Sequence, residues 1–324
     1  MVLRSFSPIL LLAGFVWLGI LPEPGRAANG WDHAILQLTE ENDSGLSDRH
    51  YTQGAYVRLL SADHTNQNWL TTHVPSVGYD VARWKWGGDF GQQMFTPEDI
   101  ARHDLIPEDR PYAGWLYGGL IYQPRGETTH GTPLMETYRV QVGVVGPASQ
   151  ANDAQIAWHH YWGFQRPNGW KNQINNEVGL QLGYDRRHRY AVGDLWSAQL
   201  LPEAGLSLGN IRIDAHAGVT LRAGYNIPDE FGGGTTNQSG WDWGAYAFAG
   251  VKGSAVALDI FLDGNNFTES HHVNKEPLVG DIRIGGAITV RHMEIMLMHV
   301  KRSREFEAQG VADGFTSLTL TMKF

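Results

Sequence analysis

The run Glu41-Asn42-Asp43-Ser44-Gly45-Leu46-Ser47-Asp48-Arg49-His50-Tyr51-Thr52-Gln53-Gly54 gathers acids, amides, hydroxyls and a histidine into one turn-rich stretch between two alternating segments. A fold needs only a loop there, so this much polar chemistry points to function. Asn42, Asp43, Ser44, Asp48 and Thr52 supply oxygen atoms at close spacing, which suits a hard cation such as Ca²⁺. The stretch is not an EF-hand loop, because it has no glycine at the sixth position and no glutamate at the twelfth. An Asx-rich turn satisfying its own backbone is the alternative.

Two further segments carry reactive residue types. Ala157-Trp158-His159-His160-Tyr161-Trp162-Gly163, followed by Pro167-Asn168-Gly169-Trp170, reads as a short helix and turn between strands. Neighbouring histidines cannot share a helical face, so His159 and His160 are not a metal-binding pair. One of them can act as a general base, or both can be aromatic-flanked interfacial residues. The second segment, Met94-Phe95-Thr96-Pro97 through Arg110-Pro111-Tyr112-Ala113-Gly114-Trp115, is a proline-bounded loop entering a strand. Its Arg102, His103 and Arg110 can hold an anionic headgroup or a developing oxyanion, or simply be solvated. Basic clusters at Arg186-Arg187-His188-Arg189 and Lys301-Arg302-Ser303-Arg304 suit a lipid phosphate or anchoring at headgroup level.

The elements that position these residues are strands. From Ile211 to Arg222 one face reads Ile, Ile, Ala, Ala, Val, Leu and the other Arg, Asp, His, Gly, Thr, Arg. The same period of two recurs over 137–144 and 281–290, in runs as long as a tilted membrane strand. Thirty-nine glycines, 12 tryptophans and 12 tyrosines beside only 18% charged residues fit an aromatic-girdled membrane barrel better than a soluble enzyme. A periplasmic β-sandwich would also alternate, with its polar face outward. Arg4, an apolar run over 9–21, a proline break and Gly25-Arg26-Ala27 read as a cleaved export signal over 1–27. Without any cysteine, the exported chain must be held by backbone closure or a large core. The net charge of −9 gives no reason to expect nucleic acid. The last strand places Leu318, Leu320, Met322 and the terminal Phe324 on one face, resembling the signal that outer-membrane barrels present to the barrel assembly machinery.

The expected fold is therefore an all-β, transmembrane antiparallel barrel over 28–324, in one domain. Candidate strands lie near 33–41, 52–61, 85–95, 113–123, 134–145, 176–185, 195–208, 211–224, 243–252, 255–262, 281–290, 292–300 and 315–324. Single-chain bacterial barrels have even strand numbers. Two runs should thus merge, most simply those flanking Arg186 to Gly193, to give twelve. Gly209-Asn210, Lys252-Gly253-Ser254 and Arg291-His292 read as short periplasmic turns. The segments 42–51, 96–112, 146–174, 226–241, 263–279 and 301–314 read as external loops.

Glu41-Asn42-Asp43, Asp48-Arg49-His50-Tyr51-Thr52-Gln53-Gly54, Phe95-Thr96-Pro97, Arg110-Pro111-Tyr112-Ala113-Gly114-Trp115, Gly146-Pro147, and His159 with Gly163 and Trp170 together resemble the lipid A 3′-O-deacylase family of outer-membrane enzymes. The correspondence runs in order over about 33–185. It implies a Ca²⁺-dependent esterase that removes the 3′-linked acyloxyacyl chain of lipid A from lipopolysaccharide, among outer-membrane lipids. It also implies roles: His159 as general base, Asn42 and Asp43 as active-site amide and carboxylate near the metal, and Thr52 as active-site hydroxyl. Arg110 and Trp170 stand as candidate substrate contacts. The chain departs from the family pattern where Arg102 replaces an expected lysine, and where Gln165 and Pro167 replace an expected glutamate and tyrosine. Losing that glutamate weakens the case for a metal, and an arginine supplies charge with a different geometry from lysine. The rivals are a Ser-His-Asn outer-membrane phospholipase, for which no His-X-Ser-Asn-Gly segment is present, and a non-catalytic porin or structural barrel.

Overall fold

The computed structural model describes residues 34–43, 48–228 and 243–324; the expected export signal lies outside them. Thirteen strands are described: β1 (Ile35–Asp43), β2 (His50–Leu60), β3 (Tyr79–Thr96), β4 (Ala113–Thr128), β5 (Pro133–Val145), β6 (Glu177–His188), β7 (Tyr190–Gly193), β8 (Trp196–Gly209), β9 (Arg212–Tyr225), β10 (Trp243–Asp259), β11 (Leu278–Val290), β12 (Met293–Arg302) and β13 (Asp313–Lys323). β6 and β7 are interrupted only at Arg189, and both pair with β8, so together they form one stave. Every other neighbour in sequence pairs antiparallel, and β1 pairs with β13. The result is a closed barrel of twelve staves, which leaves no sheet edge unpaired.

Twelve is the expected number, but the merger falls elsewhere. β10 runs unbroken through Lys252-Gly253-Ser254, with Gly253 paired to Ala217 on one side and Gly280 on the other. The runs flanking Arg186 to Gly193 are two antiparallel strands joined at a hairpin. A glycine inside a strand reads as a turn signal, yet a Cβ at Gly253 would meet nothing, so backbone pairing continues through it without steric demand. Two ends are reassigned as a consequence. The Gly209-Asn210 turn belongs with the long loops, where Asn210 bonds Glu177 and Asn266. Strands β9 and β10, which flank the 226–241 segment, meet it at the opposite end, with Ile35, Lys323 and the Arg291-His292 turn. Residues 229–242 are outside the description. A connection over 61–78 at that terminal end, with the short helix α1 (Trp69–His73), is longer than the tight turns expected there.

Side chains sort by face as the alternation requires. Leu120, Val142, Leu180, Leu208, Ile282, Ile284, Ile288 and Ile295 are exposed on the outside. The inside is polar: Arg187 and Arg283 converge on Glu203, Arg302 on Asp281, and Arg212 on Asp214 and Asp259. These pairs and a cavity of about 830 Å³ occupy the lumen. At the loop end the lumen is crossed by an apolar plug of Tyr51, Phe95, Trp115, Ile211, Ile260, Phe261 and Phe315, with Phe95 stacked on Phe261 at 4.1 Å. Phe261 belongs to α3 (Ile260–Asp263), started by the Asp259 side chain accepting from the Phe261 N–H. No described helix is long and apolar enough to cross a membrane.

Candidate active site

The reactive residues collect on the outside of the wall, at the loop end, beneath one helix. Gln93 and Phe95 line the lumen, so Gln92, Met94 and Thr96 face outward, and all three are buried. What covers them is α2 (Ala151–Trp162), packed against β3 and β4. Its buried residues Ala151, Gln155, Trp158 and His159 form one stripe at helical spacing. The close approach depends on Gly114, where a Cβ would lie 2.2 Å from Ser149 Oγ and 2.4 Å from Ala151 Cβ. The helix stops at Gly163, which takes φ +71° and returns its N–H to the His159 carbonyl. Met94, Tyr112, Ala151 and Trp170 pack into a cluster beneath α2, and Tyr112 meets the Trp170 ring at 4.9 Å.

His159 is 2% exposed and has a partner on each ring nitrogen. Nδ1 bonds the Gln165 carbonyl, and Nε2 lies 2.9 Å from Asp48 Oδ2. Both partners are acceptors, an arrangement that suits a ring with a proton on each nitrogen. Burial favours the neutral ring. The Asp48 carboxylate, the Gln165 carbonyl and the nearby Asp43 charge outweigh it, and the pKa lies above the ordinary histidine value. Asp48 is fixed from behind. Its backbone takes the left-handed φ of +44°, and its carbonyl accepts from Thr96 Oγ1 at 2.6 Å. With the Thr96 proton so committed, Thr52 Oγ1, 2.7 Å away, donates to Thr96. Thr52 is the extra residue of a bulge opposite β3, which turns it to this side of the wall. Asn42 leaves β1 on the same outer face as Glu40, beside the buried Gln53–Glu40 bond of 2.8 Å. Asp43, at the strand end, accepts the Arg49 N–H at 3.0 Å.

The model for the family described as "Outer membrane protein LpxR" matches residues 10–324. The chain belongs to the LpxR family. LpxR from Salmonella typhimurium superposes with a TM-score of 0.70 at 18% identity, over 90% of this chain and 100% of that one. The β domain of the Bordetella autotransporter BrkA gives 0.48 at 11%, over 90% and 100%. The translocator domain of the Neisseria meningitidis autotransporter NalP gives 0.40 at 9%, over 99% and 100%. No curated protein matches the sequence.

As an outer-membrane barrel of the LpxR family, a family of lipid A deacylases, this chain turns its apolar wall to lipid, and His159 sits against that same outer wall rather than in the lumen. Of the residues expected at the site, Thr52 is tied through Thr96 to Asp48, the partner of His159, Asp43 is near enough for its charge to act on His159, and Asn42 lies on the same outer face of the wall. Trp170 is buried as a support, donating its Nε1–H to Gln155 Oε1 at 2.7 Å. Arg102 is exposed on the 97–112 loop and has no part in the His159 hydrogen bonds. Arg110 is turned away: it is fully buried at the mouth of the lumen, 4.7 Å over the Phe95 ring and 3.2 Å from Glu305. The basic clusters also divide, with Arg186 bonded to Glu136 on the outer wall and Arg302 inside the lumen.

Gln165 contributes its main-chain carbonyl to His159, not a carboxylate. Among the described residues no group of three His, Cys, Asp or Glu is placed to hold a metal ion, and Ser44 to Ser47 lie outside the description. The expected Ca²⁺ ligands Asn42 and Asp43 lie side by side at the end of β1, next to Ser44 to Ser47. Spacing put Asp48 among the oxygen donors but not as the histidine's partner, and Thr96 behind it and Gln155 one helical turn away were not singled out. For Thr96 the signal was its place within the ordered motifs.

Proposed function

We propose that this chain hydrolyses the ester that holds the 3′-linked acyloxyacyl chain of lipid A, in the cleft between the outer wall and α2, with His159 as general base. The observation that supports the reading is the position of a buried, doubly held histidine on the lipid-facing side of the barrel. A diacylated sugar lying in the outer leaflet reaches such a site sideways, without entering the lumen.

The Gln165 carbonyl keeps the Nδ1 proton in place, which directs Nε2 toward the reacting water. The resting ring first gives up its Nε2 proton to solvent and loosens its contact with Asp48, which opens Nε2 to the reacting water. The neutral Nε2 then accepts a proton from water as the water oxygen bonds to the ester carbonyl carbon. When the tetrahedral intermediate collapses, the carbon–oxygen bond to the sugar breaks, and the leaving oxygen takes the proton back from Nε2. The products are a free sugar hydroxyl and the acyloxyacyl acid. Asp48 stabilises the charged ring, and Thr52 and Thr96 hold Asp48 in place. Arg102, exposed at the loop rim, is set to meet an anionic headgroup rather than the buried ester.

The test is expression of the wild type and His159→Ala in a Gram-negative host lacking such activity, followed by mass spectrometry of lipid A after both proteins are shown to be folded in the outer membrane. A mass loss equal to the acyloxyacyl unit is expected with the wild type. Removal of a general base lowers the rate by about 10²–10⁴-fold. Unchanged lipid A from folded wild type, or equal activity from His159→Ala, would defeat the proposal.

A further inference from the structure

Gln155 lies on the buried stripe of α2, one turn before His159, and is 2% exposed. Its Oε1 accepts the Trp170 Nε1–H at 2.7 Å. An indole N–H can only donate, so this bond decides which end of the amide faces the indole and which end faces away. The end that faces away is the Nε2 group, buried and without a hydrogen-bond partner among the described residues. A buried donor left unpaired costs about 1–3 kcal/mol. Residues four apart on a helix stand roughly 5–6 Å apart at their Cβ atoms, so Gln155 and His159 are neighbours on the buried stripe that α2 lays against the wall. Thr52 is committed to Thr96 in the same cleft, so it is not free to serve a second acceptor in this arrangement.

We propose that Gln155 is a further catalytic residue, whose Nε2–H donates to the ester carbonyl oxygen as it becomes an oxyanion, and that Trp170 is the positioning residue that aims it. The proposal rests on the deacylase reading and adds a donor to it. As His159 takes the water proton, negative charge gathers on the former carbonyl oxygen, and a donor fixed beforehand in a dry cleft stabilises that charge more than it does the neutral ester.

The experiment compares wild type, Gln155→Met and Trp170→Phe in detergent. Each is checked first for a folded, heat-modifiable barrel. Deacylation of purified lipid A is then measured together with the binding of two non-hydrolysable lipid A analogues. One carries an ether in place of the 3′ ester, and the other a phosphonate that mimics the tetrahedral oxyanion. Loss of one oxyanion donor lowers kcat by about 10²–10³-fold. Gln155→Met is expected to show a fall of that order, with KM and ether binding little changed and phosphonate binding weakened in parallel. Trp170→Phe should show the same pattern to a smaller degree. Retention of kcat and of phosphonate affinity in folded Gln155→Met would overturn the proposal, and so would parallel loss of ether and phosphonate binding, which marks a purely structural role. A folded wild type that fails to deacylate lipid A would instead remove the reading on which the proposal rests.

Discussion

Replacing Asp48 by Asn removes the negative charge 2.9 Å from His159 Nε2 and leaves a side chain of the same size. A hydrogen bond to a charged group is worth about 1.5–3 kcal/mol net. The Asp48 side chain is 23% exposed and that of His159 is 3%, so solvent screening is modest and the lower half of that range, about 1.5–2 kcal/mol, is appropriate. The Asp48 interaction raises the histidine pKa. Its contribution is therefore fully present below the ordinary histidine value and fades as pH rises through the higher, folded-state value. For a reaction that needs neutral Nε2, the wild-type kcat/KM should climb with pH along a limb above the normal histidine range, and Asp48→Asn should move that limb to lower pH. At 1.4 kcal/mol per factor of ten, the variant holds roughly 10–30 times more neutral imidazole on the acidic side of the limb. A weaker base abstracts the water proton less well, so the alkaline plateau should fall. The assay is initial-rate deacylation of purified lipid A in detergent between mildly acidic and mildly alkaline pH. An unmoved limb, or one moved to higher pH, would refute the protonation argument. A collapse of rate at every pH, in a folded barrel, would show that Asp48 is needed in the transition state itself.

Gly114→Val forces α2 away from the wall, and misplacing a catalytic group by about 1 Å can cost roughly 10²-fold; activity should fall at least that far while the barrel stays heat-modifiable, and a fully active variant would show that the α2–wall contact is dispensable. Arg110→Met strands the buried Glu305, at a cost of up to about 3–5 kcal/mol, reduced because Arg302 still lies 3.4 Å from Glu305. The unfolding temperature on semi-native gels should drop with KM unchanged, and the opposite result would return Arg110 to substrate binding. Gln165→Ala keeps the main-chain carbonyl on His159, so the rate should stay within about twofold; a large loss would mean that the side chain enters the chemistry.

Period-two alternation, an exported cysteine-free composition and the aromatic terminus were enough to specify a barrel of twelve staves with apolar residues facing lipid, because face assignment depends only on local spacing. The ordered motifs put forward His159, Asp43 and Thr52 through resemblance to the family, and residue type limits which groups can serve as base, carboxylate or hydroxyl. Where strands begin and end was less legible. Gly253 looks like a turn, but only its partners on β9 and β11 show that the stave continues, and that one misreading transferred Gly209-Asn210 and 226–241 to the wrong ends. The site itself required tertiary structure. Whether Arg110 meets substrate or Glu305 depends on which side of the wall its loop folds over. The proton on His159 depends on a carboxylate 111 positions earlier in the chain. The direction of the Gln155 amide depends on an indole that reaches it only after α2 has packed against the wall. Such relations are set by distances between segments remote in sequence, and a strand pattern contains no information about them.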